Sequence, residues 1–339
     1  MQIAIATVEI RNINALLVSS SPAESNMPTD MMNTMRTYLW SFITLAASVL
    51  VTLPTSSRAV AAEPPPAAAE PIAIWPGDAP GEKGDIGAEY NAAAKDNKIR
   101  IANVTRPTIA VRHASPDKDT GAAVLVCPGG AYNRLAMDIE GEDIARWLND
   151  NGVSAILLKY RVPRRAGREK HEAPLQDVQR AMGIARHRAR EWNIDPNRLG
   201  VIGFSAGGHL CATLCGQYEQ RTYPAVDDAD KESCRPDFAL LIYPFYMTPD
   251  EDPTKLAPEI HVSSKNPPAF LVMTQDDRVY YAYTYALALK AAKVPLEMHI
   301  FPTGGHGYGL GKTEGGTSEW PRMAEQWLKR NGWLSTSKR

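Results

Sequence analysis

The 339-residue chain is 44% hydrophobic and carries a formal net charge of −1. That is enough apolar material for one large core, or at most two. A near-neutral balance argues against nucleic acid as a partner, because phosphate binding needs a concentrated basic face. The basic run RVPRRAGREK, Arg161–Lys170, reads as a solvated loop.

From the N-terminus, the first patterned stretch is the apolar run Thr37–Leu53, after Arg36 and before SSRAVAAE. It is slightly short for a membrane span of about 20 residues. Ala59-Val60-Ala61 fits the small-x-small pattern of signal cleavage, so the mature chain is expected to begin at Ala62, secreted or periplasmic, with no stable membrane association after cleavage; an uncleaved anchor is the alternative reading. A translation start among Met27, Met31, Met32 and Met35 leaves a signal peptide of roughly 25–35 residues. Residues 62–71 form a Pro/Ala linker, and the folded domain is expected over 72–339.

PIAIWPG and TIAVRHASP read as antiparallel edge strands. From Ala122 onward short apolar runs alternate with amphipathic ones. AVLVCPGG, VSAILLKYRV, RLGVIGFS, DFALLIYPFY, AFLVMTQDD and LEMHIFP read as strands. Helices are expected at 141–152, 176–194, AGGHLCATLCGQY, 281–293 and SEWPRMAEQWLKRNG. Continuous Val/Ile/Leu runs, rather than alternation, mark strands buried on both faces. The fold class is therefore α/β: one doubly wound, mostly parallel sheet with helices on both faces and no large lid.

Ligands of such sheets bind beyond the carboxyl ends of the strands. Ser205 lies there, in Gly203-Phe204-Ser205-Ala206-Gly207 between a strand and a helix. The small neighbours permit a tight turn that projects the hydroxyl, which suits a nucleophile. Of seven histidines, His306 stands apart in FPTGGHGYGL, after the last strand, and is the expected base. His209, one turn beyond Ser205, reads as a packing or capping residue. Asp276 and Asp277 end the penultimate strand, and either can orient the histidine. The chain order Ser, Asp, His is that of α/β-hydrolases. Backbone N–H groups of Gly130, Ala131 and Ala206 are candidates for an oxyanion hole. Cys127, Cys211 and Cys215 read as buried thiols, and the pairing of four cysteines stays open. With no CxxC or HExxH spacing, neither a metal nor a cofactor is expected.

CPGGAY, EGEDIARWL, LKYRVP, DVQRAM, EWNIDPNRLGVIGFSAGGHL, CRPDFALLIYP and GGHGYGL together resemble the α/β-hydrolase esterases of the acetylxylan esterase/feruloyl esterase-like type. The resemblance covers about residues 70–333. It implies Ser205 as nucleophile, His306 as base, and Gly130, Ala131 and Ala206 as oxyanion donors. The related GTADDNV pattern, in which the first aspartate is catalytic, points to Asp276 over Asp277. Such esterases often carry HGGG where this chain has Pro128-Gly129-Gly130-Ala131. The implied activity is hydrolysis of small acyl esters, acetyl above all, on an acylated polysaccharide such as xylan. A feruloyl esterase, a prolyl-oligopeptidase-type peptidase and a non-catalytic scaffold are the competing readings.

Overall fold

In the computed structural model, residues 70–335 are described except 85 and 94–96. The signal-peptide and cleavage-site expectations lie outside those residues. In chain order the strands are β1 (Ile72–Ala73), β2 (Tyr90–Asn91), β3 (Arg100–Ala102), β4 (Thr108–Arg112), β5 (Ala123–Cys127) and β6 (Leu135–Ala136). Helix α1 (Asp143–Asp150), β7 (Ser154–Lys159), α2 (Glu172–His187), β8 (Leu199–Phe204), α3 (Ala206–Gly216) and β9 (Ala239–Ile242) follow. The chain closes with β10 (Ala269–Thr274), α4 (Tyr280–Ala291), β11 (Leu296–Phe301) and α5 (Trp320–Arg330).

The continuous apolar runs become the inner strands of one sheet, ordered β1-β4-β7-β5-β8-β9-β10-β11. Strands β7 through β11 of that order pair parallel, and β1 and β4 add the two antiparallel pairings at one edge. Every residue of β5, β8, β9 and β10 is buried, as continuous hydrophobic strands require. Side chains alternate across the sheet. Phe204 packs on Trp320 of α5, with ring centroids 6.3 Å apart, whereas its neighbour Gly203 faces α3. Helices therefore cover both faces, and the chain has the α/β-hydrolase fold.

Three features differ from the expectations. Helix α2 begins at Glu172, not 176, because Pro174 in the first turn forfeits only an N–H that has no helical partner. It ends at His187 rather than 194. A second sheet, β2-β3-β6, is antiparallel and made of two- and three-residue strands too short to show a period. The basic run is also not uniformly solvated. Arg161 is fully buried against Asp177, which also takes the indole N–H of Trp75 at 2.9 Å. Arg165 pairs with Glu82 at 2.6 Å. These pairs fasten the N-terminal segment to the sheet, and breaking one would strand a buried charge.

Candidate active site

Strand β8 ends directly beneath the corner that carries Ser205. Ser205 has φ 53° and ψ −120°, a left-handed backbone that a non-glycine residue adopts only when its surroundings enforce it. Its N–H donates to Ile242 at 3.1 Å, and its carbonyl accepts from Phe245 at 3.0 Å. The flanking glycines are required by close approach. A Cβ on Gly203 would stand 2.2 Å from the Gly207 carbonyl oxygen, and one on Gly207 would stand 2.0 Å from that of Cys127. No side chain fits either place.

The histidine reaches this corner from the loop after β11. His306 Nε2 lies 2.7 Å from Ser205 Oγ, and Nδ1 lies 2.6 Å from Asp277 Oδ2. With Nδ1–H donating to Asp277, Nε2 is left to accept the serine proton. The ring is held between Tyr243 and Phe245, edge-on at 5.1 and 5.3 Å. The expectation of Asp276 as the histidine's partner is corrected here. Asp276 instead accepts the backbone N–H groups of Gly304 and Gly305 at 3.1 and 3.0 Å. Those bonds, Gly305 first, hold its carboxyl below the usual carboxylate range. Successive side chains in this turn point apart, so Asp276 ties down the loop that carries His306 while Asp277 meets the ring.

The structure also brings the expected oxyanion segment to the same place. Gly130, Ala131, Ser205 and His306 line one cavity of about 540 Å³. Among the described residues, no acceptor is bound by the Gly130 or Ala131 N–H. Gly130 has φ 137°, and a Cβ there would meet the Arg134 carbonyl oxygen at 2.0 Å. Arg100, Asn133, Arg134, Phe245 and Tyr246 complete much of the wall. Arg100 comes from the small second sheet and is paired with Asp138.

One residue of this site was not singled out from the sequence. Glu140 lies in the cavity floor, 4% exposed. Its two oxygens accept the Gly129 N–H at 2.7 Å and the Tyr243 hydroxyl at 2.9 Å. That hydroxyl in turn accepts the Gly309 N–H at 3.0 Å. Burial raises the Glu140 carboxyl, with the bonds from Gly129 and Tyr243 and the nearby His306 pulling the other way. One carboxylate thus joins the oxyanion turn to the histidine loop. Glu140→Gln keeps the shape but sets a donor against the Gly129 N–H or the Tyr243 hydroxyl. An unpaired buried donor costs about 1–3 kcal/mol, so thermal denaturation should show Tm lowered by roughly 2–12 °C. An unchanged Tm would mean the brace carries no weight.

His209 is buried, as a packing residue would be, yet it is also fully hydrogen-bonded. Nδ1 lies 2.8 Å from the Tyr132 hydroxyl and Nε2 lies 3.1 Å from Glu259 Oε1. Burial lowers its pKa, with Glu259 opposing. All four cysteines are buried and unpaired.

The BD-FAE family model matches residues 113–238. The chain is 29% identical over 252 residues to an acetylxylan esterase of Xylanibacter ruminicola, spanning 65% of this chain and 47% of that protein. It is 32% identical over 211 residues to endo-1,4-beta-xylanase B of Butyrivibrio fibrisolvens, spanning 56% and 33%. The chain thus covers less than half the length of these two relatives. Among solved structures, an acetyl ester-xyloside bifunctional hydrolase from Caldicellulosiruptor lactoaceticus aligns with a TM-score of 0.62 at 32% identity, covering 78% of this chain and 97% of that one.

Proposed function

Because this chain belongs to the α/β-hydrolase esterases of the BD-FAE, acetylxylan esterase-like family, we propose that it is a serine esterase removing small acyl groups, acetyl first, from xylan-type polysaccharide. The observation that carries this reading is the unbroken run from Ser205 through His306 to Asp277, with contacts of 2.7 and 2.6 Å, opening on the cavity. Action outside the cytoplasm is part of the proposal and rests on the apolar run and the Ala59-Val60-Ala61 pattern.

In this mechanism Ser205 Oγ attacks the ester carbonyl carbon while His306 Nε2 takes its proton. Asp277 holds the imidazole in the right tautomer and stabilises its charged form. The carbonyl oxygen gains negative charge beside the N–H groups of Gly130, Ala131 and Ala206. The C–O bond of the sugar ester then breaks, and His306 gives its proton to the departing sugar oxygen, which leaves as a hydroxyl. Water, deprotonated by His306, attacks the acyl carbon; the bond from that carbon to Ser205 Oγ breaks, His306 returns the proton to Oγ, and the carboxylic acid leaves.

The cavity wall supports a short acyl group. Tyr132, the residue after Ala131, turns its hydroxyl into the core toward His209 and is absent from the cavity lining. The limit falls instead to Ala131, Phe245 and Tyr246 and to the polar side formed by Arg100, Asn133 and Arg134. A long acyl chain would have to desolvate those guanidinium groups, and an unaccommodated methylene costs about 1–3 kcal/mol. With p-nitrophenyl esters at fixed pH, kcat/KM should fall from acetyl to butyryl and be negligible at octanoyl. A maximum at octanoyl or longer would contradict the small-acyl reading and leave the serine mechanism standing.

A further inference from the structure

A second cavity, of about 530 Å³, shares a wall with the first: Tyr246 lines both. The backbone of Tyr246 is itself left-handed, at φ 59°, so its ring is held by its surroundings and not by local preference. The ring stacks on Tyr132 with centroids 6.2 Å apart and 25° between planes, and the Lys170 ammonium sits 5.0 Å from its centre.

The second cavity also holds a buried polar group without a partner. Thr248 is 5% exposed, lines the cavity, and its hydroxyl makes no hydrogen bond. Buried hydroxyls are nearly always paired, so an unpaired one beside a cavity marks where a ligand can complete it. Glu259 supplies an acceptor on the same lining. It is fixed by His209 at 3.1 Å and approached by His171 at 3.4 Å and Lys170 at 3.6 Å. Burial would raise its carboxyl, but His171 and His209 beside it outweigh that and hold it well below the carboxylate range.

Charge narrows the class of occupant. Two of the three lining acids are already paired, Glu169 with Arg164 at 3.7 Å and Glu259 with Lys170 at 3.6 Å, so neither a strong anion nor a strong cation is favoured. What fits is a neutral ligand whose hydroxyls both donate and accept, within reach of the Thr248 hydroxyl, the Glu259 carboxylate and the Lys170 ammonium on that lining. A pyranose unit has that chemistry. We propose that this cavity is a glycan subsite, holding a sugar unit adjoining the one whose ester is presented to Ser205. The proposal rests on the esterase reading above. The relay from Glu259 through His209 also ends on Tyr132, the residue after Ala131, so the subsite lining and the oxyanion turn share one buried hydrogen-bonded chain.

The test compares the full chain with Thr248→Val and Lys170→Ala on acetylated xylotetraose and on p-nitrophenyl acetate. The readout is the ratio of kcat/KM for the glycan to that for the small ester. Loss of one sugar hydrogen bond should lower that ratio about threefold to tenfold in each variant. Should Thr248→Val fail to fold, the loop variant Lys170→Ala decides. A ratio equal to wild type overturns the subsite while leaving the esterase reading intact. A wild-type chain that hydrolyses neither substrate overturns both.

Discussion

Alanine at Ser205 is expected to lower kcat on acetyl esters by on the order of 10⁶, the usual cost of removing a serine nucleophile. Thermal stability should hardly move. The strain at φ 53° belongs to the backbone, which alanine shares, and the elbow remains pinned by the bonds to Ile242 and Phe245. Only the 2.7 Å contact with His306 disappears. Tm should therefore stay within about 4 °C of the parent, the equivalent of roughly 1 kcal/mol for a domain of this size. Turnover at a tenth of the wild-type rate would remove Ser205 from the mechanism.

The second large effect separates two adjacent aspartates. Asp277→Asn should lower kcat by up to roughly 10⁴, because asparagine can donate to Nδ1 of His306 and leave the wrong tautomer facing the serine. Asp276→Asn should cost much less. Its amide oxygen can still accept one of the two glycine N–H bonds, and it never touches the imidazole. Steady-state kinetics of the two variants on p-nitrophenyl acetate checks the ranking. If Asp276→Asn were the more damaged, the 2.6 Å contact of Asp277 would not be the one that matters.

This pair also shows how much was legible in the sequence. The sheet was readable because β5, β8 and β10 are buried on both faces and carry unbroken apolar runs. The elbow was readable because the approach of α3 to β5 and β8 admits only glycine at Gly203 and Gly207. The glycine-rich setting of His306 likewise marked its loop. The choice between Asp276 and Asp277 was not readable from their own neighbourhood. It is decided by two N–H groups at Gly304 and Gly305, far along the chain. Glu140 was missed for the same reason, since its partners Gly129 and Tyr243 come from the ends of β5 and β9. Arg161 and Arg165 looked solvated because a run of like charges says nothing about Asp177 and Glu82 waiting elsewhere. Periodicity reports which face an element buries; pairing between distant polar groups leaves no such trace.

In the proposed mechanism Ser205 is the nucleophile of an acyl-transfer site. The most direct test is to inactivate the protein with a dialkyl p-nitrophenyl phosphate, digest it, and locate the adduct by mass spectrometry. A single dialkylphosphoryl group is expected on the peptide containing Ser205, formed in step with loss of p-nitrophenyl acetate hydrolysis and absent from Ser205→Ala. Adduct on another residue, or full inactivation with Ser205 unmodified, would contradict it.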